Sequence, residues 1–319
     1  MSLPRISIIT PSFNQGQYIE ETILSVLGQG YPNLEYIIID GGSTDSTKDV
    51  IAKYQDRITY WVSEKDNGQS DAINKGLKRA TGEIVAWLNS DDTYLPGALH
   101  EVAKQFVDHP SAGIVVGNVR NDYADGHSDV HNNIFEPVDF ISRVAIHQPG
   151  VFWKRELNER FGYLDPSFYY LMDQELWVRI FFNTECIKTD KVLAAFRIHD
   201  EAKTGKNPLG LYLDFRRIFS RLLNSVSDNN YKQQAIALGI YDNPDNLRFP
   251  ILNELSAAQL KLVFANNVWN AILLEYRRGS ISMVNKLVLS TLGMGHGLSK
   301  IFVLLKNNLG VGKLKHRTQ

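Results

Sequence analysis

Trp87-Leu88-Asn89-Ser90-Asp91-Asp92 closes an apolar run, Ile84 to Leu88, with two adjacent carboxylates. A buried strand that ends in acids puts negative charge at the carboxyl end of a sheet, where open α/β sheets bind ligands. Neighbouring carboxylates repel each other, so they are expected to be solvated or to hold a cation. If they hold a divalent cation, the natural third party is a phosphate. The same residues also read as a helix start, with Asp92 or Thr93 as N-cap ahead of Pro96. The flanking segments decide between these readings.

Working back towards the N-terminus, the chain alternates strand and helix. Ile6-Ser7-Ile8-Ile9 is a short strand, and Thr10-Pro11-Ser12-Phe13-Asn14 is expected to stop it, because proline cannot donate to a ladder. Tyr18 to Leu27 has apolar residues at helical spacing. Tyr36-Ile37-Ile38-Ile39 is a fully apolar strand ending on Asp40. Continuous apolar strands alternating with helices indicate a parallel sheet covered on both faces. Gly41-Gly42 then lets backbone approach a ligand, with Ser43 or Thr44 as cap of the next helix. Asp40 sits where an acid accepts hydrogen bonds from a nucleoside. Thr59 to Val62 forms another strand, and the polar loop Asp66 to Asp71 leads into a helix that Gly82 ends. Three acid-bearing loops therefore share one edge of one sheet.

Composition bounds the class. The 319 residues carry a formal net charge of −1, with 44% apolar and 22% charged residues. That balance argues against bulk nucleic-acid binding. One cysteine, Cys186, rules out an intramolecular disulfide framework and a cysteine-based zinc cage, and fits a reducing cytosol. The first strand starts close to Met1, so no signal peptide is expected. No apolar run approaches the roughly 20 residues that span a bilayer.

Five blocks carry a resemblance. Ile8-Ile9-Thr10-Pro11-Ser12-Phe13-Asn14, Ile39-Asp40-Gly41-Gly42-Ser43-Thr44-Asp45, Asn67-Gly68-Gln69-Ser70-Asp71-Ala72-Ile73-Asn74-Lys75-Gly76, Ala80-Thr81-Gly82-Glu83 and Leu88-Asn89-Ser90-Asp91-Asp92 resemble, in order, the blocks of family 2 glycosyltransferases. The resemblance implies a GT-A fold: α/β, Rossmann-like, a mostly parallel central sheet with flanking helices, followed by a C-terminal helical appendage. Domains are expected at 1–205, binding nucleotide sugar and catalysing, and 206–319, mainly helical. On the donor side the resemblance implies Thr10, Pro11 and Phe13 at the base pocket, Asp40 on uracil or ribose, Asp71 fixing the nucleotide and Asp91 facing ribose. It gives the metal, Mn²⁺ or Mg²⁺, to Asp92. Two departures stand out: Asn89 and Gly41 occupy positions where the family usually has aspartate.

The second half supplies the chemistry. Tyr170-Leu171-Met172-Asp173-Gln174-Glu175-Leu176-Trp177-Val178-Arg179-Ile180 looks like the family's acidic block, with Met172 in place of the first acid and Asp173 retained. Asp173 is the implied catalytic base of an inverting transfer. The structural reading of Asp173 is a helix N-terminal acid with Glu175 as companion, favoured by the helix dipole. Arg197-Ile198-His199 resembles the family's segment near the diphosphate, which makes His199 a third metal ligand or phosphate contact. Gln148, in His147-Gln148-Pro149-Gly150, and Trp177 are the acceptor-side candidates.

Beyond about residue 200 the resemblance stops. Lys203 to Pro208 reads as a loop able to close over the donor, Leu211 to Leu223 and Ala257 to Tyr276 as long helices, the second ending at Arg277-Arg278-Gly279. Ser280 to Gln319 holds Lys286, Lys300, Lys306, Lys313, Lys315 and Arg317 without an acid. Such a segment either packs on the catalytic domain or a second subunit, giving a homo-oligomer, or lies peripherally on the inner face of the cell membrane, where lipid-linked acceptors are found. The expected activity is transfer of a hexose from a nucleotide diphosphate sugar, a UDP-sugar first, to a saccharide or lipid-linked saccharide hydroxyl in bacterial surface glycan synthesis. The alternatives are a sugar nucleotidyltransferase and a non-catalytic nucleotide-sugar or glycan-binding protein.

Overall fold

The computed structural model describes residues 3–133, 136–199, 208–227, 230–243, 245–251 and 255–293. Strands β1 (Ile6–Ser12), β2 (Leu34–Asp40), β3 (Tyr60–Ser63) and β4 (Ile84–Trp87) alternate with helices α1 (Ile19–Leu27), α2 (Thr47–Lys53) and α3 (Gln69–Arg79). All four strands are parallel, in the order β3-β2-β1-β4, with Ile9 opposite both Ile37 and Trp87. Helices on both faces bury Ile6, Ile8, Ile9 and Ile37 to Ile39 almost completely, the reason these strands are apolar throughout.

Pro11 does not stop β1. The strand continues to Ser12, with Pro11 opposite Ile39. Leu88 N donates to Ile9 O at 2.8 Å, so Ile9, and Pro11 two residues on, point their backbone groups towards β4. That strand has ended at Trp87, so the missing N–H of Pro11 costs no ladder bond.

The remaining sheet is mixed. It uses β5 (Thr93–Tyr94), β6 (Ala112–Tyr123), β7 (Ser128–His131), β8 (Val151–Lys154) and β9 (Glu185–Ile198), between which lie α4 (Ala98–Asp108), α5 (Pro137–Phe140), α6 (Glu156–Phe161) and α7 (Met172–Phe181). The full order is β3-β2-β1-β4-β8-β6-β9-β5, with β7 beside β6. β8 runs antiparallel to β4 and β6, whereas β9 runs parallel to β6. Thr93 belongs to β5, opposite Ala195, and α4 starts only after Gly97 at φ +82. The two acids after β4 therefore open a strand connection and cap no helix.

The C-terminal helices are α8 (Pro208–Ser225), α9 (Asn230–Leu238), α10 (Ala257–Arg277) and α11 (Ile281–Gly293). α10 opens on a capping box: Gln259 N donates to Ser256 Oγ at 3.3 Å and Ser256 N to Gln259 Oε1 at 3.0 Å. It closes near Gly279, at φ +75. Ile218, Phe219, Leu222, Val263 and Phe264 join the same buried cluster as the sheet. Of the expected donor loop Lys203 to Pro208, residues 203–207 lie outside the described residues, as does the basic tail beyond Gly293, and Pro208 opens α8. Among those described, no helix is long and apolar enough to cross a membrane.

Candidate active site

The loops after β1 and β2 are laced together. Asn14 sits at φ +52, a conformation asparagine tolerates. Its N–H donates to Ser43 Oγ at 2.7 Å, and its Oδ1 accepts from Thr44 N at 2.9 Å. Gln15 N donates to Thr47 Oγ1 and Gly16 N to Asp45 Oδ2, each at 2.9 Å. Asp45, rather than Ser43 or Thr44, serves the start of α2 by accepting from Thr47 N at 3.0 Å.

Asp40 does not face a nucleoside. It is fully buried, and its oxygens accept from Gly42 N at 3.2 Å, Ser43 N at 2.9 Å, and the hydroxyls of Ser43 and Ser63 at 2.5 Å each. Four donors use up the roughly four lone-pair sites of a carboxylate, so Asp40 shapes the loop. Thr10 is also buried, 3.1 Å from the Tyr36 hydroxyl. Pro11 is buried too, which leaves Phe13, 58% exposed, as the residue of this group open to a ligand.

Asp66 is an acid that sequence reasoning passed over. A Cβ on Gly41 would lie 2.5 Å from Asp66 Oδ2. The Asp66 carboxylate thus fills the space of the side chain missing where the family usually has a second aspartate. The available signal was Gly41 itself, because a site that lacks an acid on one loop can receive it from the next.

The two acids after β4 have different surroundings. Asp92 is 1% exposed, with Oδ1 accepting from Arg197 N at 3.1 Å and Oδ2 from Asn89 Nδ2 at 3.3 Å. Burial, and then the Asp91 charge beside it, push its carboxyl well above the usual carboxylate range. A buried carboxyl engaged by protein donors is not presented to a cation, so the expected metal role of Asp92 is corrected. Asp91 stays partly exposed, and its Oδ2 lies 3.1 Å from His199 Nε2. Arg197 Nε donates to the Asp91 carbonyl at 3.1 Å, and His199 packs on Tyr18 with ring centroids 4.9 Å apart. His199 Nδ1 is buried with no partner among the described residues. Oxygen from Asp91 and imidazole nitrogen from His199 fit a divalent cation. Among the described residues no group of three or more His, Cys, Asp or Glu is arranged to hold a metal ion, so phosphate and water would have to complete the shell.

The first turn of α3 joins the two halves of the site. Gln69 Nε2 donates to Asn89 Oδ1 at 2.9 Å, and Ser70 Oγ donates to Met172 Sδ at 2.8 Å. In the same turn Asp71 Oδ2 accepts from Asn67 N at 3.0 Å and lies 3.5 Å from Lys75 Nζ. Met172 is 6% exposed, which explains a thioether where the family usually has an acid. Asp173, one residue on, is half-buried in the first turn of α7, where the dipole favours negative charge. Glu175 is not its companion at the surface. It is 2% exposed and pairs with Arg179 Nη2 at 2.6 Å and Arg221 Nη1 at 3.0 Å.

Trp177 is corrected as an acceptor residue. It is fully buried, stacked on Trp87 at 5.5 Å and edge-on to Trp153 at 5.2 Å, and so locks α7 onto β4 and β8. Gln148 is 7% exposed and donates from Nε2 to Trp87 O at 2.6 Å. Beside it, His147 stacks on His131 at 3.8 Å, and burial pushes its imidazole down to about 4.

An α/β sheet with acids and a histidine gathered at one end, joined to a helix that starts in a further acid, defines a protein of the GT-A fold. The sequence model of Glycosyl transferase family 2 matches residues 7–183, and the chain belongs to that family. An uncharacterized glycosyltransferase of Rickettsia typhi is 27% identical over 74% of this chain and 75% of its own length. The GalNAc(5)-diNAcBac-PP-undecaprenol beta-1,3-glucosyltransferase of Campylobacter jejuni is 27% identical over 72% and 79%. Among solved structures, residues 1–349 of S. aureus TarS in complex with UDP-GlcNAc superpose with a TM-score of 0.59 at 18% identity, covering 90% of this chain and 91% of that one. The mannosyltransferase PcManGT from Pyrobaculum calidifontis, in complex with GDP-Man and Mn²⁺, gives 0.58 at 18% identity, covering 98% and 82%.

Proposed function

We propose that this glycosyltransferase is an inverting, divalent-metal-dependent enzyme that moves a hexose from a nucleotide diphosphate sugar to a saccharide or lipid-linked saccharide hydroxyl in bacterial glycan synthesis. The observation that carries the reading is the pair of hydrogen bonds from the first turn of α3. Gln69 holds the stretch that contains Asp91 and Ser70 holds the residue before Asp173, so both acids flank one helix start.

Phe13 offers a face to the base and Asp66 an acid to the nucleoside, and Asp71 helps to fix the nucleotide. Asp91 and His199 would hold Mn²⁺ or Mg²⁺, which when bound neutralises charge developing on the diphosphate leaving group. Asp173 takes the proton of the attacking hydroxyl as that oxygen approaches the anomeric carbon from the face opposite the leaving group. The base acts directly on the acceptor, so no covalent glycosyl-enzyme is needed. Gln148 keeps a buried Oε1 with no partner among the described residues and is the acceptor-side residue that stays in the reading.

A UDP-sugar is the first donor to try, in keeping with the neighbour that binds UDP-GlcNAc. A lipid-linked acceptor, named for the Campylobacter relative, would bring the chain peripherally to a membrane. Against the non-catalytic alternative stands the family match over residues 7–183, while Asn89 and Met172, the residues that suggested it, carry contacts to Gln69 and Ser70.

Asp173→Asn tests the reading. Nucleotide release from the donor should fall about 10²- to 10⁴-fold, the range of a positioned general base, while UDP affinity measured calorimetrically with Mn²⁺ is unchanged. A variant at full rate removes Asp173 from this role.

A further inference from the structure

α8 lies beyond residue 183, where the family match ends, yet one of its faces contacts the approach to Asp173 residue by residue. Gly210, Asp214, Arg217 and Arg221 recur at intervals of four, three and four, which puts them on one side of the helix. Gly210 lies against the Tyr170 ring, where a Cβ would meet Cε2 at 2.0 Å. Asp214 Oδ2 accepts from Tyr170 N at 2.8 Å and from Leu171 N at 3.1 Å. Arg217 donates to Ser167 O at 2.7 Å and to Ser167 Oγ at 2.9 Å. Arg221 bridges Asp165 Oδ2 at 2.8 Å and Glu175 Oε1 at 3.0 Å. As the helix advances, the contacts step back along the loop from 170 to 165.

α7 receives no side-chain cap from its own N-cap residue, Leu171, whereas a serine or aspartate there would set the first turn. Asp214, 7% exposed, reaches in from another helix and holds the two N–H groups immediately before Met172.

We propose that this face of α8 positions the Asp173 carboxylate, with Asp214 as the residue that sets where α7 begins and hence where Asp173 points. The proposal rests on Asp173 acting as the base. Asp214 is a positioning residue, and α8 is then part of the apparatus that supports catalysis.

The test uses the full chain with Mn²⁺ and measures nucleotide release from UDP-glucose, UDP-GlcNAc, UDP-galactose and GDP-mannose, with water as acceptor. Calorimetry gives UDP affinity, and hydrogen exchange follows residues 165–175. Displacing a catalytic group by about 1 Å costs on the order of 10²-fold, so Asp214→Ala should lower kcat by about that factor and leave KM and UDP affinity unchanged. Exchange should quicken in 165–175 and nowhere else. Asp214→Asn, whose amide oxygen accepts the same two N–H groups, should recover most of kcat. Unchanged kcat, a parallel fall in UDP affinity, an equal loss in Asp214→Asn, or unchanged exchange in 165–175 would each overturn the proposal. Exchange decides alone if none of the four donors is turned over. Full activity in Asp173→Asn would remove the base assignment and leave the exchange result standing, so the two failures are told apart.

Discussion

Two stretches of this chain place acids close together, and each buries one while leaving the other partly exposed. After β4, Asp92 is enclosed by Arg197 N and Asn89 while Asp91 turns to His199. At the start of α7, Glu175 is enclosed by Arg179 and Arg221 while Asp173 stays half-buried at the helix N-terminus. The enclosed acid is tied to other parts of the chain, and its neighbour is thereby held at a fixed place. Carboxylate and anchor look alike in sequence, since both are aspartate or glutamate beside an apolar run. What separates them is how deeply the folded chain buries each one.

The comparison breaks first at Glu175. If it is only an anchor, Glu175→Ala should cost stability, by about 3 kcal/mol, the low end for removing one partner of a buried pair. The low end applies because Arg221 keeps Asp165, and Arg179 keeps the Phe161 and Tyr163 carbonyls. Urea unfolding reads the loss, and UDP affinity should be unaffected. A variant of normal stability that has lost transfer would make Glu175 an active-site acid.

A smaller effect is expected at Asp91. Asp91→Asn keeps the size of the side chain but removes the charge paired with His199. Metal-stimulated nucleotide release should fall about 10²-fold, within the several kcal/mol that a bound cation supplies to a leaving group. A manganese titration of the rate checks it. Activity that stays metal-dependent with unchanged half-saturation would return the cation to another acid.

These contrasts mark how far the sequence is legible. The four parallel strands can be read directly, because strands covered on both faces must be apolar along their whole length. The helices α8 and α10 can be read from spacing, within a few residues at each end. Asp91, Asp173 and His199 are picked out as candidates by resemblance. Burial that depends on distant partners cannot be read. Asp40 looks like a ligand group until Ser63, 23 residues on, supplies one of its donors. Trp177 looks like a sugar platform until Trp87 and Trp153 enclose it. Asp66 is hidden in a loop whose significance depends on a glycine in another loop. Pairings across 20 to 100 residues have no local periodicity, so only the fold discloses them.

The finest contrast is at Asp92, where the comparison turns on sign more than size. The folded state holds this carboxyl well above its ordinary 3.8, so its favourable contribution is present below about pH 3.8 and is lost as pH rises through the folded value. In Asp92→Asn no such loss occurs. The amide oxygen still accepts from Arg197 N, but the amide nitrogen now meets Asn89 Nδ2, a lost hydrogen bond worth about 1 kcal/mol. The variant should therefore be less stable than the parent near pH 4 and close the gap as pH rises, with nucleotide release within a few-fold of the parent at neutral pH. Urea midpoints at pH 4, 5.5 and 7 give the slope. A parent that instead gains on the variant as pH rises would show Asp92 to be a working charge, and would make the two acids after β4 a matched pair.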